Sequence, residues 1–344
     1  MGKIDDIQAY KEWTEYHRSL KRDKAADNLS PVERKKKLEK LEANVIEWIL
    51  FFFSEFAKYP FTKFHKKAIK RITTNMEWYE VLSWSRELAK STIVFMCMMY
   101  LVLTGKKKNV LLISNSHENA VRLLEPYKKA FESNSMLKAY YGDLREFGSW
   151  TADEFTLTTG ATLRAIGALE SPRGTRKDAV RPDTALVDDF DTDADCRNPD
   201  ILKKKWEWFE EALFPTRSIS EDLLVIFCGN LIALDCCVKR AGDKADHWDI
   251  VNIRDKDGKS SWPEKNTEER INRIQSKIST KAFQQEYMNN PLSEGDTFKE
   301  MVWGKCSIWL PLKAAVCRCL RGSGSVQLKE QGHLFQSLFP YRVL

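Results

Sequence analysis

The sequence predicts an α/β protein, a mostly parallel sheet flanked by helices, with a helical N-terminal segment. Three observations carry that expectation. Short apolar runs recur between residues 80 and 229, helix-period stretches of ten residues or more separate several of them, and the first fifty or so residues are charged with helical spacing.

Taken in order, "ERKKKLEKLEANVIEWILFFF" repeats apolar residues at Leu38, Leu41, Val45, Ile46 and Ile49, and Ser30-Pro31 before it supplies an N-cap and a proline at the first helical position. Residues 1–54 are therefore expected as a helical N-terminal segment. The basic cluster Arg34–Lys37 reads as a solvated helix face. The expected strands are residues 80–84, 109–114, 154–159, 162–167, 184–189 and 223–229. Helical patterns follow Lys90, Ser114 and Pro199, and strands spaced by such helices pair in parallel through right-handed crossovers. Residues 55–241 make this α/β core. In such sheets ligands bind at the carboxyl ends of strands, which points to the loops at 84–91, 188–191 and 228–230. Residues 242–305 are expected as a lid and linker, with a short hairpin around Asp257-Gly258 and one helix ending at Pro291. Residues 306–344 form an atypical tail with three of the eight cysteines and no periodic pattern.

Composition narrows the class. A chain of 344 residues with 43% hydrophobic and 30% charged residues can bury a sizeable core. The formal charge of +6 permits a polyanionic partner without requiring one. The cysteines show no CxxC and no paired metal spacing, which suggests a reducing, cytosolic setting without structural zinc. The N-terminus has no apolar stretch typical of a secretory signal. The runs "WILFFF" and "IVFMCMMYLVL" fall well short of the ~20 residues that span a bilayer, so both are expected as buried helices with no membrane role.

The stretch "WSRELAKST" (84–92) departs from the phosphate-loop pattern G-x-x-x-x-G-K-[ST]. Lys90-Ser91 are in place, but Trp84 and Ala89 stand where the glycines belong, and Arg86 lies inside. The order of strand, turn and helix is nevertheless that of a phosphate cradle, where backbone N–H groups converge at a helix N-terminus. Ala89 can serve there if its φ stays negative. Downstream, "TALVDDFD" is an apolar strand ending in Asp188-Asp189, the Walker B arrangement of one carboxylate for a metal and one for an attacking water. A calcium loop counted from Asp189 would need glycine and glutamate where Ala194 and Asp200 stand. A third run, "LLVIFCGN", ends in Asn230, an amide that can sense a phosphate or simply close a turn.

Together these motifs resemble the large terminase subunits of tailed bacteriophages, over roughly residues 55–303. "SRELAKS" looks like that family's deviant Walker A, with Arg86 at its distinctive position. "SPRGTRKDAVRPDTALVDDFD" is similar to its Arg-Gly segment and Walker B strand, "FCGN" to its coupling motif, "YPFTKFHKKAIKRI" to its adenine-holding segment, and "FQQEYMNNPLSEGDTFKEMVW" to the stretch leading into its nuclease domain. The resemblance implies a P-loop NTPase (RecA/ASCE-like) fold, with ATP and Mg²⁺ as substrate and metal. The loop Arg86, Glu87, Leu88, Ala89, Lys90, Ser91, Thr92 would cradle the phosphates. Lys90 would bind the β/γ-phosphates, Ser91 and Asp188 would hold Mg²⁺, and Asp189 would be the general base. Arg86 would stabilise charge on the transferring phosphoryl group, Asn230 would couple hydrolysis to movement, and Phe64 and His65 would contact adenine. It further implies double-stranded DNA held through its phosphates, a small terminase subunit and a portal as partners, a homo-oligomeric ring, and the cytoplasm of an infected bacterium.

Family members continue into a nuclease that needs several converging carboxylates. After Glu300 the only acidic residue is Glu330, so residues 306–344 read as a truncated or frame-shifted remainder, and nuclease activity is not expected from this chain. Two alternatives remain: a helicase-like DNA-remodelling ATPase, for which the residues after 305 are too few to build a second domain, and a catalytically decayed DNA-binding or assembly protein.

Overall fold

A computed structural model describes residues 29–172 and 180–292, together with the backbone of three short strands at 316–319, 326–330 and 333–335. Residues 1–28 of the expected N-terminal helix, the Arg-Gly piece at 173–179, residues 293–303 before the expected nuclease and most of the tail lie outside the described residues.

The N-terminal stretch folds as two helices. In α1 (Pro31–Glu42), Ser30 and Glu33 form a reciprocal capping box; α2 (Val45–Phe52) restarts at Asn44, whose side chain accepts from the Glu47 N–H. Trp48, Ile49, Phe52 and Phe53 are buried in the main core, so "WILFFF" is a packing face of the α/β body. Trp48 Nε1 donates to the Tyr141 hydroxyl at 2.8 Å, and its ring meets Tyr100 edge-on at 5.3 Å.

The chain continues through α3 (Lys63–Thr74), β1 (Trp78–Trp84), α4 (Lys90–Leu103), β2 (Asn109–Ser114), α5 (His117–Ser133) and α6 (Ser135–Tyr141). Next come β3 (Arg145–Trp150), β4 (Glu154–Leu157), β5 (Thr162–Gly167), β6 (Thr184–Asp188), the one-turn α7 (Asp193–Cys196) and α8 (Pro199–Glu207), which a π-helical turn extends over Trp208–Leu213. The remaining elements of this body are β7 (Leu224–Cys228), α9 (Cys237–Gly242), β8 (His247–Val251), α10 (Glu268–Gln275) and α11 (Thr280–Met288). Eight strands form one sheet in the order β3-β4-β5-β2-β6-β7-β1-β8. β5, β2, β6, β7, β1 and β8 are parallel, and β4 is antiparallel to both of its neighbours. The fold class is thus the expected α/β layer arrangement. Two strands were not anticipated: the exposed edge strand β3, and β8, which pairs with β1 from within the stretch expected as a lid. The Asp257-Gly258 turn is closed by an antiparallel bridge between Arg254 and Ser260, and the single helix expected before Pro291 is broken into α10 and α11.

Residues 1–291 and 292–344 are separate compact units. In the second, strands β9 (Val316–Cys319), β10 (Val326–Glu330) and β11 (His333–Phe335) form an antiparallel sheet in the order β11-β10-β9, where no strand pattern was expected.

Both faces of the main sheet are covered, which explains the near-continuous apolar strands. The all-round apolar α4 is buried from Ile93 to Val102, as a core helix must be. Among the described residues no helix is long and apolar enough to cross a membrane. At the amino ends of the strands, buried Lys107 donates to the carbonyls of Met76, Asp183 and Asp222 at 2.9, 3.0 and 3.1 Å. Burial lowers the pKa of this ammonium, and the three carbonyls tie together the entries to β1, β6 and β7.

Candidate active site

The carboxyl ends of β1, β6 and β7 open onto a cleft of about 580 Å³. It is lined by the loop residues Ser85, Arg86, Glu87, Ala89, Lys90, Ser91 and Thr92, by Asp189 to Asp193, and by Gly229 and Asn230. β7 lies between β1 and β6, so Asn230 leaves the sheet between the Lys-Ser loop and the paired aspartates. Ser91 Oγ donates to Asp188 Oδ2 at 2.6 Å, and Lys90 Nζ reaches Asn230 Oδ1 at 3.4 Å. The three motifs read separately from the sequence therefore meet at one place.

Asp188 is buried, and burial raises its carboxyl pKa; Lys90 opposes the shift and Asp189 adds to it. Asp188 Oδ1 accepts from the Asp189 N–H at 3.1 Å. A hydroxyl and a carboxylate oxygen at this separation are hard donors of the kind Mg²⁺ takes from a protein while drawing its other ligands from phosphates and water, so the residues fit that ion. Asp189 is exposed at the cleft and sits at φ +47°, a left-handed conformation that aspartate tolerates better than most residues.

The other acids after β6 are engaged structurally. Asp191 Oδ2 accepts from the Val238 N–H at 3.0 Å, Asp193 Oδ1 from Gln285 Nε2 at 2.8 Å, and Asp195 Oδ2 pairs with buried Lys205 at 2.9 Å. Lys205 Nζ also donates to the Phe190 carbonyl. This is a braced loop: Asp189 is exposed at the cleft, and Asp188 lies buried behind Ser91, which lines it.

The loop itself corrects one expectation. Ala89 has φ +59° and Glu87 φ +69°, so the chain takes left-handed turns without glycine where negative φ was expected at Ala89. Each such non-glycine residue costs about 1–2 kcal/mol. Neighbours hold the strained turn in place. The Glu87 carbonyl accepts from Lys265 Nζ at 2.8 Å and Asn266 Nδ2 at 3.1 Å, Leu88 is fully buried, and its carbonyl lies 3.0 Å from His65 Nε2.

That contact involves the segment expected to hold adenine. His65 is fully buried, and its ring packs against Phe64, Trp84 and Trp262. Neither Phe64 nor His65 lines the cleft. The Thr62 N–H donates to His65 Nδ1 at 3.2 Å, which leaves Nε2 to carry the proton and donate to the Leu88 carbonyl. Burial depresses the imidazole pKa to about 4, keeping the ring neutral. His65 supports the phosphate loop from behind.

Arg86 turns toward α11. Its Nε donates to Glu286 Oε2 at 2.5 Å, its backbone N–H donates to the Glu286 carbonyl at 3.1 Å, and the ion pair raises the pKa of the guanidinium. The Glu286 carbonyl also accepts from Asn230 Nδ2 at 3.1 Å. Just beyond, Asn289 Nδ2 donates to the Ser83 carbonyl at 2.8 Å, and its Oδ1 accepts from the Leu231 N–H at 3.1 Å. Glu286, Asn289, Lys265 and Asn266 are site residues that sequence reasoning missed. In the sequence, "FQQEYMNNP" stands out only as the start of the stretch that resembles a lead into a nuclease domain.

No protein-family model matches the chain, and no curated protein does. Among solved structures, the chain is similar to the large terminase of bacteriophage HK97, at 15% identity and a TM-score of 0.49 over 73% of this chain and 55% of that one. It is also similar to the ATPase domain of the Thermus phage P74-26 large terminase, at 16% identity and a TM-score of 0.42 over 70% of this chain and 97% of that one. The large terminase of the thermophilic bacteriophage D6E gives 13% identity and a TM-score of 0.44 over 80% of this chain and 66% of that one. The chain thus spans little more than half the length of the HK97 protein. With TM-scores below 0.5 these likenesses carry no argument, and the functional proposal rests on the cleft residues.

Proposed function

We propose that this chain is an ATP-hydrolysing motor of the large-terminase kind, moving double-stranded DNA. The observation that carries the proposal is the 2.6 Å bond between buried Asp188 and Ser91, which lines a cleft together with Lys90, Asp189 and Arg86. Lys90 and the curled loop bind the phosphates of ATP, with backbone N–H groups at the start of α4, where four have no partner within the helix. Ser91 and Asp188 hold Mg²⁺, which when bound neutralises charge on the β- and γ-phosphates. Asp189 accepts the proton of the attacking water; its open position and the strand-end geometry support that role. Arg86 stabilises charge on the transferring group, and Asn230, next to Lys90, passes the phosphate state to the β7 loop.

DNA contacts in this proposal go to phosphates and weaken with salt. A small terminase subunit, a portal, a ring of copies of this chain and the cytoplasm of an infected bacterium complete it, with ATP hydrolysis and no DNA cleavage expected from this chain. Phosphate release by wild type and Lys90→Ala, with and without duplex DNA, tests it. DNA-stimulated release that Lys90→Ala abolishes is expected, and equal release from both proteins refutes the enzyme. Linear product from supercoiled plasmid with Mg²⁺ would refute the absence of cleavage.

A further inference from the structure

Given the nucleotide reading of the cleft, on which this inference rests, we propose that Glu286 is a positioning residue for Arg86. Its carboxylate holds the guanidinium on α11 while the cleft is empty and yields it to the terminal phosphate of a bound triphosphate. Glu286 thereby sets how well the site tells ATP from ADP.

Two kinds of contact join α11 to the cleft, and they differ in how readily they exchange. The backbone contacts are fixed. The Glu286 carbonyl accepts from the Arg86 N–H and from Asn230 Nδ2, and Asn289 bridges the tip of β1 to the loop after β7. The side-chain pair is the exchangeable part: the Arg86 side chain is 65% exposed, and such an ion pair contributes little in water. Glu286 also lines the cleft, so its negative charge opposes an incoming polyphosphate as long as Arg86 does not shield it. A triphosphate offers Arg86 a more highly charged partner, and the chain Lys90–Asn230–Glu286–Arg86 lets the exchange happen while α11 stays anchored. Arg86 and Asp189 line the same cleft, so the guanidinium shares it with the acid assigned to the attacking water.

The test is equilibrium binding of mant-ATP and mant-ADP with Mg²⁺ to wild type, Glu286→Gln, Glu286→Asp, Arg86→Ala and the Arg86→Ala/Glu286→Gln double variant, with Tm recorded for each. Glu286→Gln keeps the backbone anchors and is expected to tighten mant-ATP about three- to tenfold while changing mant-ADP less than about twofold. Glu286→Asp restores the wild-type preference in part. In the Arg86→Ala background the ATP-selective gain disappears. Unchanged binding in Glu286→Gln overturns the proposal, as does an equal weakening of both nucleotides with a lowered Tm, the signature of a residue that only pins the helix. A gain that persists without Arg86 also overturns it, since Glu286 would then act as bulk charge. If Lys90→Ala binds mant-ATP as well as wild type does, the nucleotide reading itself fails, a result distinct from any of these.

Discussion

Ser91 and Asp188 stand 97 residues apart in the chain and meet through a 2.6 Å hydrogen bond beside the cleft. Ser91 lies in the first turn of α4 and Asp188 ends β6, so a helix and a strand distant in sequence share the polar contact at which the proposed metal would sit. The protein keeps a carboxylate there although burial opposes its ionisation. That arrangement favours function at the expense of stability.

Asp188→Asn should separate the two. The amide can still accept from the Asp189 N–H and pair with the Ser91 hydroxyl, and the buried charge is gone. Tm without nucleotide should hold or rise by about 2 °C. Mg²⁺-dependent phosphate release should fall about 100-fold or more, since a metal's charge stabilisation is worth several kcal/mol. A large drop in Tm, measured by scanning fluorimetry, would contradict the buried-carboxylate account.

Ala89 at φ +59° makes a prediction opposite to the usual effect of glycine. Ala89→Gly relieves left-handed strain of about 1–2 kcal/mol and loses about 0.5–1 kcal/mol to backbone entropy, so denaturant unfolding should show equal or slightly higher stability. Ala89→Val should destabilise by more than about 1 kcal/mol, because a β-branched residue is a poor fit to that conformation. A loss on going to glycine would mean that the loop does not take this turn.

His65 gives the fold an acid limit. Its pKa in the folded chain is depressed to about 4, below the ordinary value near 6.5, so the unfolded chain binds the extra proton first as pH falls. The contribution of neutral His65 is therefore complete above about pH 6.5 and declines toward about pH 4, by up to about 1.4 kcal/mol per pH unit. Chemical denaturation at pH 7 and pH 5 should show that slope in wild type and a reduced one in His65→Gln, which keeps an amide donor for the Leu88 carbonyl.

Lys107→Met should remove the donor shared by the carbonyls of Met76, Asp183 and Asp222, although the Asp183 carbonyl keeps the Leu224 N–H at 3.0 Å. Urea unfolding should lose about 1–3 kcal/mol. Lys107 lies at the strand entries, opposite the cleft, so phosphate release per folded molecule should change little. A selective loss of activity without a loss of stability would contradict this structural role.

The central strands were legible because burial on both faces keeps their middles apolar, as in "VLLI" within β2 and "LVIFC" in β7. That Lys90, Ser91, Asp188 and Asp189 would lie close together was legible because the ends of neighbouring strands bring the residues after them to one edge of the sheet. β8 was not: "HWDIV" is half-exposed and interrupted by an acid, and only pairing with β1 makes it a strand. The helix break between Gln275 and Thr280 was hidden by a continuous polar texture. Contacts such as Lys265 to Glu87 and Asn289 to Ser83 span 178 and 206 residues, and no local periodicity carries such information. The contact of His65 with the Leu88 carbonyl was not legible either, because a histidine looks the same in sequence whether it faces a cleft or supports a turn from behind.

α4 begins at Lys90 and is enclosed by protein along ten consecutive residues. A rod gripped on every side cannot turn or slide without repacking a dense interior. In the proposed motor it would be the stator: phosphate chemistry at its tip would leave it still, and a stroke would be taken up by the elements that clasp the cleft from outside the core.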